Sequence, residues 1–164
     1  MEVRDQNARI ERKSDRELVV TRYVAGTARQ VFEAWATPEL FKIWWAPASM
    51  GMVIVAFEAD VRTGGTYRLE MGHSKADQTA VFFGKYLEVV SGERIVWTND
   101  EGVEEGPVTT VTFAEDDQRT LITVQDFYPT KDALDEAIAS GSTGCWEEQM
   151  QQLQALLGEG QAKR

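Results

Sequence analysis

Few residues in this chain of 164 could do covalent chemistry: there is one histidine, His73, and one cysteine, Cys145. A zinc-type site needs several such ligands at workable spacing, so a metal would be left to carboxylates alone. The acidic run Asp100 to Glu105 reads instead as a solvated turn. His73 sits in a polar segment, Gly72 to Thr79, as an exposed loop imidazole. A general base needs a reacting proton within hydrogen-bond reach, and nothing in the sequence brings a nucleophile to it. Cys145 follows Gly144 near a helix start, a setting that suits a reactive thiol. With no base beside it, it reads as a small packing residue. Gly64 and Gly65, and the stretch Gly141 to Gly144, lack any phosphate-loop pattern. No catalytic residue, metal ligand or cofactor is therefore expected.

Aromatic and thioether surface is what the chain supplies in quantity. Trp44, Trp45, Phe57, Tyr67, Leu69, Phe83, Trp97, Phe113, Phe127, Trp146 and Met150 are the candidates to line a pocket, with ordinary core packing as the competing reading of each. Thr123 and Gln125 alternate with Leu121 and Phe127, so they are expected to point into the same apolar interior. A buried amide costs ~1–3 kcal/mol if left without a partner. A ligand is one way to supply that partner, which ranks Gln125 first as a polar contact to a bound small molecule.

The elements that must position these residues follow from periodicity. Glu17 to Val24 has the β-branched and aromatic content of a strand. Thr27 and Gln30 have capping-box spacing, opening a helix with Val31, Phe32 and Trp35 on one face. Thr37 and Pro38 open a second, whose apolar face is Leu40, Ile43 and Trp44, ended by Ala46 and Pro47. Val53 to Val61 alternates, with Val53, Val55, Phe57, Ala59 and Val61 on one face. The turn Arg62 to Gly65 leads into Tyr67, Leu69 and Met71 facing inward. Ala80 to Val90 is a strand interrupted by Gly84, which marks a bulge or the close approach of another backbone; its inward face is not assignable by strict alternation. Ile95 to Thr98 follows. Val108 to Phe113 and Thr120 to Tyr128 form a last hairpin, with Val111, Phe113, Leu121, Thr123, Gln125 and Phe127 inward. Thr130 caps a short helix. The final helix, about Thr143 to Leu157, carries Trp146, Met150, Leu153 and Leu157 on one stripe and stops at Gly158.

These elements compose an α+β domain over residues 17–157, with a flexible charged leader at 1–16 and a tail at 158–164. About six sequential antiparallel strands with one apolar face make a curved sheet, and the last helix is the stripe long enough to cover its concave side. The helical pair closes one end. A formal charge of −10 argues against nucleic acid and anionic membrane surfaces as partners. No run approaches the length of a membrane span, and the N-terminal residues lack the apolar core of a secretory signal. One cysteine fits a reducing cytoplasm, the expected location.

Four segments, VFEAWATPELFKIWWAP, EADVRTGGTYRLEM, GKYLEVVSGERIVWTND and GCWEEQMQQLQALL, resemble in colinear order the motifs of the Hsp90-ATPase-activator-homologue-1-like branch of the START/Bet v 1-like (SRPBCC) superfamily. The resemblance implies a helix-grip fold, β-α-α-β6-α, with an interior cavity that holds a hydrophobic ligand in many relatives. The expected function is binding of a small aromatic or lipid-like molecule between sheet and last helix, by a monomer or homodimer. Two alternatives stand beside it. One is a cyclase-, aromatase- or hydrolase-like enzyme using the same pocket, which needs a titratable group inside. The other is an interaction module with a chaperone partner, as in the cochaperone relatives.

Overall fold

Caps and stripes written into the sequence set the helices. In the computed structural model, which describes residues 8–73, 76–100, 106–141 and 145–162, the capping box forms as expected. The Thr27 hydroxyl accepts from the Gln30 amide, and the Gln30 side chain accepts from the Thr27 amide. That fixes α1 (Ala28–Ala36), which buries Val31, Phe32, Ala34 and Trp35. Helix α2 (Pro38–Trp44) starts on proline, but the Thr37 hydroxyl turns back to Glu33 instead of capping it. Its buried residues are Phe41 and Trp44, while Ile43 is 60% exposed. The helix packs through a face one step round from the expected one. A 3-10 turn, Ala48–Met50, follows.

The strands are β1 (Arg9–Arg12), β2 (Glu17–Ala25), β3 (Met52–Ala59), β4 (Thr66–His73), β5 (Ala76–Val90), β6 (Arg94–Thr98), β7 (Val108–Asp116) and β8 (Arg119–Phe127). They form one antiparallel sheet in the order β1-β2-β8-β7-β6-β5-β4-β3. Helix α3 (Lys131–Ala139) is capped by Thr130, and α4 (Cys145–Ala162) lies across the sheet. This is the helix-grip arrangement, a curved sheet with a C-terminal helix. Register shifts between Ile54 and Ala56, Gly72 and His73, and Tyr86 and Glu88 supply local bends. Among the described residues no helix is long and apolar enough to cross a membrane.

Five further expectations are corrected. Within the leader, Arg9–Arg12 forms the edge strand β1, paired with β2 and tied to α3 by Arg12–Asp135 at 2.7 Å; residues 1–7 lie outside the described residues. All four of its side chains are exposed, so no apolar period announces it. In β3 the register shift reverses the side-chain phase, leaving Val53 and Val55 outside while Phe57, Ala59 and Val61 pack on the core. Phe83 is on the outer face of β5 at 44% exposure, with Lys85 and Leu87. Helix α4 continues through Gly158 to Ala162.

The fifth correction matters most. On β8 the buried residues are Thr120, Ile122, Val124 and Asp126; Leu121, Thr123, Gln125 and Phe127 occupy the opposite face. The neighbours decide this. Val124 stands between Val20 and Val111, and Ile122 opposite Phe113, so the β-branched set joins the inner layer. Outside, the Phe127 ring lies under the Arg16 guanidinium, 4.7 Å away, and Gln125 donates to Glu17.

Candidate functional site

Between the inner face of the sheet, the α1–α2 pair and the start of α4 is a cavity of about 650 Å³. Aromatic packing forms its closed end. The ring centre of Trp35 lies 4.7–6.5 Å from those of Phe41, Trp44, Trp45, Trp97, Phe113 and Trp146. Phe41 in turn stacks against Trp45 and Phe57 at 4.7 and 4.8 Å.

Helix α4 holds this end shut with amides. Gln149 Nε2 donates to the Trp45 carbonyl, and Gln152 Nε2 to those of Trp44 and Ala46, at 2.7–2.8 Å. Gln152 Oε1 accepts from the Ala48 amide, while Glu148 accepts from the Ser49 amide and hydroxyl. The carbonyls left unpaired where α2 stops are thus met by side chains of another helix. The Ser49 contacts hold the Glu148 carboxyl below its usual range.

The wall opposite comes from the strands. Tyr67, Leu69 and Met71 on β4, Phe82 and Tyr86 on β5, Ile95 and Trp97 on β6, and Phe57 and Met52 on β3 all line the cavity. Between Phe82 and Tyr86, Gly84 meets the close approach anticipated for it. A Cβ at that position would sit 2.2 Å from the Thr98 carbonyl oxygen. The Tyr67 hydroxyl donates to this same oxygen at 2.6 Å. Burial raises the Tyr86 phenol well above its ordinary pKa.

One corner is polar. Asn99 Nδ2 donates to Thr109 Oγ1 at 3.2 Å and to the Pro107 carbonyl at 2.8 Å; Thr109 Oγ1 donates to Asp126 Oδ1 at 2.5 Å. Thr109 and Asp126 are direct partners across β7 and β8. Asp126 is 9% exposed, and burial pushes its carboxyl up to about 6, with the Thr109 hydroxyl pulling the other way. Asp126 Oδ2 has no hydrogen-bond partner among the described residues. Tyr128 lines the same corner, its phenol pushed up to about 12 by burial and by the Asp126 charge.

Of the residues singled out from sequence, Trp45, Phe57, Tyr67, Leu69, Trp97 and Trp146 line the cavity. Trp44 is fully buried beside it, its indole N–H donating to the Ala34 carbonyl at 3.0 Å, so Trp45 is the wall and Trp44 the core. Phe113 and Met150 are buried core residues outside the lining. Phe83, Thr123, Gln125 and Phe127 are on the outer face. Cys145, the first residue of α4, is at the lining, its Sγ 3.5 Å from Met50 Sδ. His73 ends β4 away from the cavity.

The acidic loop at 101–105 and the glycine-rich residues 142–144 lie outside the described residues. Among the described residues no group of three or more His, Cys, Asp or Glu is placed to hold a metal. Sequence reading missed Trp35 and Phe41 as cavity wall, and Asn99, Thr109 and Asp126 as its polar corner. The last pair was recoverable: anchoring β8 on Ile122 and Val124 places Asp126 inward.

Solved structures share this architecture. A crystal structure of a protein from Rhodobacter sphaeroides is 20% identical, with 93% of this chain and 98% of that one covered at a TM-score of 0.83. One from Nitrosomonas europaea is 22% identical, covering 92% and 99% at 0.82. The solution structure of an AHSA1-like protein from Aeromonas hydrophila is 19% identical, covering 85% and 92% at 0.71. At these identities the likeness carries the fold and no function. No protein of curated function matches the sequence. Residues 25–158 match the family described as Activator of Hsp90 ATPase homolog 1-like protein, and the chain belongs to that family of the SRPBCC superfamily.

Proposed function

We propose that this protein binds a small, largely apolar molecule in the cavity between the sheet and α4. The supporting observation is the composition of that one space: about 650 Å³ walled mainly by tryptophan, phenylalanine, tyrosine and methionine, with a hydrogen-bonded polar corner at Asn99, Thr109 and Asp126. Apolar walls with a few convergent polar groups are what hold and orient a small ligand. A bicyclic aromatic burying about 300 Å² would gain roughly 7 kcal/mol before the costs of association are subtracted. Affinity in the micromolar to millimolar range follows. Family membership is equally consistent with a chaperone partner; the cavity favours the small molecule.

The test uses the five tryptophans as reporters. Titrating 2-naphthylmethanol into 15N-labelled protein should shift the indole N–H resonances of Trp35, Trp45, Trp97 and Trp146, with Trp44, buried outside the lining, moving least. No shift at the four lining indoles up to millimolar ligand counts decisively against the reading.

One observation favours a second reading. The inward Asp126 is the titratable group an enzyme in this pocket requires, and a carboxyl near neutrality suits proton transfer. Turnover of any cavity substrate would then follow a pH profile with an inflection at about 6, lost in Asp126→Asn.

A further inference from the structure

Asp126 lies in the cavity as an acid without a cation. Among the described lining residues there is no lysine, arginine or histidine; Tyr67, Tyr86, Tyr128 and Cys145, which also line it, are side chains that carry no positive charge. The arginines of β2 and of the segment just before it face other groups. Arg22 shares the inner face of β2 but stands opposite Ile122, whereas Leu18 stands opposite Asp126, and the acid that acts on Arg22 is Glu147 of α4. Arg16 lies on the far side, over the Phe127 ring. The sheet and helices thus leave this carboxylate uncompensated.

Its hydrogen bonding is half complete, and in a directed way. The Thr109 hydroxyl accepts from Asn99 Nδ2, which turns its own proton toward Asp126 Oδ1. The relay fixes the carboxyl group and leaves Oδ2 with no partner among the described residues, in a residue that lines the cavity. A buried anion of this kind is stabilised most by a donor that also carries positive charge, because charge-assisted bonds are the stronger ones and the interior screens them little. Aromatic faces in the same wall, such as those of Trp97 and Tyr67, can receive the flank of an ammonium. The net charge of −10 draws cations to the protein and repels anions.

From this geometry we infer that the cavity takes an amphipathic amine: an apolar body against the aromatic wall, and a protonated amino group donating to Asp126 Oδ2. The inference rests on the small-molecule reading above and narrows it to a chemical class. It excludes apolar carboxylates such as fatty acids, whose charge would meet the same anion.

Three ligands of one shape decide the matter: 2-naphthylmethylamine, 2-naphthylmethanol and 2-naphthoate, titrated calorimetrically into the full chain at pH 8 and pH 5. At pH 8 the amine should bind at least about tenfold more tightly than the alcohol, with the naphthoate weakest. At pH 5 Asp126 takes up a proton, and the amine's advantage should fall to about threefold or less while the naphthoate gains. Asp126→Asn should abolish the amine's advantage at pH 8. Equal affinities of amine and alcohol at pH 8 overturn the inference and leave the small-molecule reading standing. So does an amine preference that Asp126→Asn or acid does not reduce. Failure of all three ligands to bind at either pH overturns both. The pH comparison on the unmodified protein decides the question even if the variant fails to fold.

Discussion

At neutral pH Asp126 carries a charge that its surroundings disfavour. Its carboxyl is raised from 3.8 to about 6 by burial, so the folded state holds the proton more tightly than the unfolded chain does. The stability this contributes is fully present below about pH 3.8 and is lost as pH rises through about 6. At one pKa unit per ~1.4 kcal/mol the loss is of order 3 kcal/mol, as an upper bound. Asp126→Asn keeps an acceptor for Thr109 and removes the charge. It should therefore unfold at higher urea than the parent at pH 8, by about 1–3 kcal/mol, and within about 0.5 kcal/mol of it at pH 3.5. A variant less stable at pH 8 would show that the carboxylate is already compensated. Gly84 makes the opposite case, since its missing side chain is structural. With Thr98 O 2.2 Å from where a Cβ would sit, Gly84→Ala should cost about 2–4 kcal/mol and disturb the Tyr67 hydroxyl that donates to the same oxygen. Gly158, in α4 with nothing within 4 Å of its would-be Cβ, should gain about 0.5–1 kcal/mol on the same substitution. Equal effects at the two sites in urea titrations would remove the contact argument.

Elements differ in how far their sequences announce them, and the difference is one of range. The capping box of α1 and the Trp146, Met150, Leu153, Leu157 stripe of α4 are legible because every group involved lies within a few residues. The hairpin face of Tyr67, Leu69 and Met71 is legible for the same reason. The phase of β3 and the inner face of β8 are not local properties. A single register shift at Ile54 and Ala56 decides the first, and pairing to β2 and β7 decides the second. Leu121 and Phe127 give the outer face of β8 an apolar look that competes with Ile122 and Val124, so alternation alone points to Thr123 and Gln125 as the inward polar pair instead of Asp126. The glutamines of α4 were equally hidden, because their partners are backbone carbonyls about a hundred residues earlier in the chain. Gln152 alone meets three backbone groups, the carbonyls of Trp44 and Ala46 and the amide of Ala48. Gln152→Ala should cost about 2–3 kcal/mol and raise hydrogen exchange at the Ala48 amide. Gln154→Ala, which loses one exposed bond to the Ala25 amide, should cost less than about 1 kcal/mol. Similar costs for the two would mean that α4 holds α2 by its apolar stripe alone.

Across the whole molecule, one helix does not fill the concavity of eight strands, and the aromatic pair α1–α2 closes one end without filling the centre. The fold was legible because a curved sheet needs a cover and only one stripe was long enough to supply it. The cavity follows from that geometry, whereas its chemistry depends on which face of one strand turns inward. Side chains that line a cavity make fewer dispersion contacts with the protein than those of a close-packed core. The amide clamp stabilises the junction of α2 and α4, whereas the buried Asp126 costs stability when it is charged. Such a cavity ties folding to occupancy. A ligand that binds only the folded chain adds RT ln(1 + [L]/Kd), about 2.7 kcal/mol at a hundredfold excess over Kd. For a domain of this size each kcal/mol moves Tm by roughly 2–4 °C. A saturating cavity ligand should therefore raise Tm by about 5–10 °C, and the rise should continue logarithmically with concentration. If occupancy depends on Asp126, 2-naphthylmethylamine should give a larger shift at pH 8 than at pH 5, and in Asp126→Asn its shift should match that of 2-naphthylmethanol. The parent protein's own melting temperature should move the other way, higher at pH 5 than at pH 8 to the extent that this one carboxyl governs it. Ligand-induced stabilisation and intrinsic stability then have opposite pH trends. A nonspecific effect of acid on the fold would shift both in the same direction, which makes the pair of melting curves the sharper test.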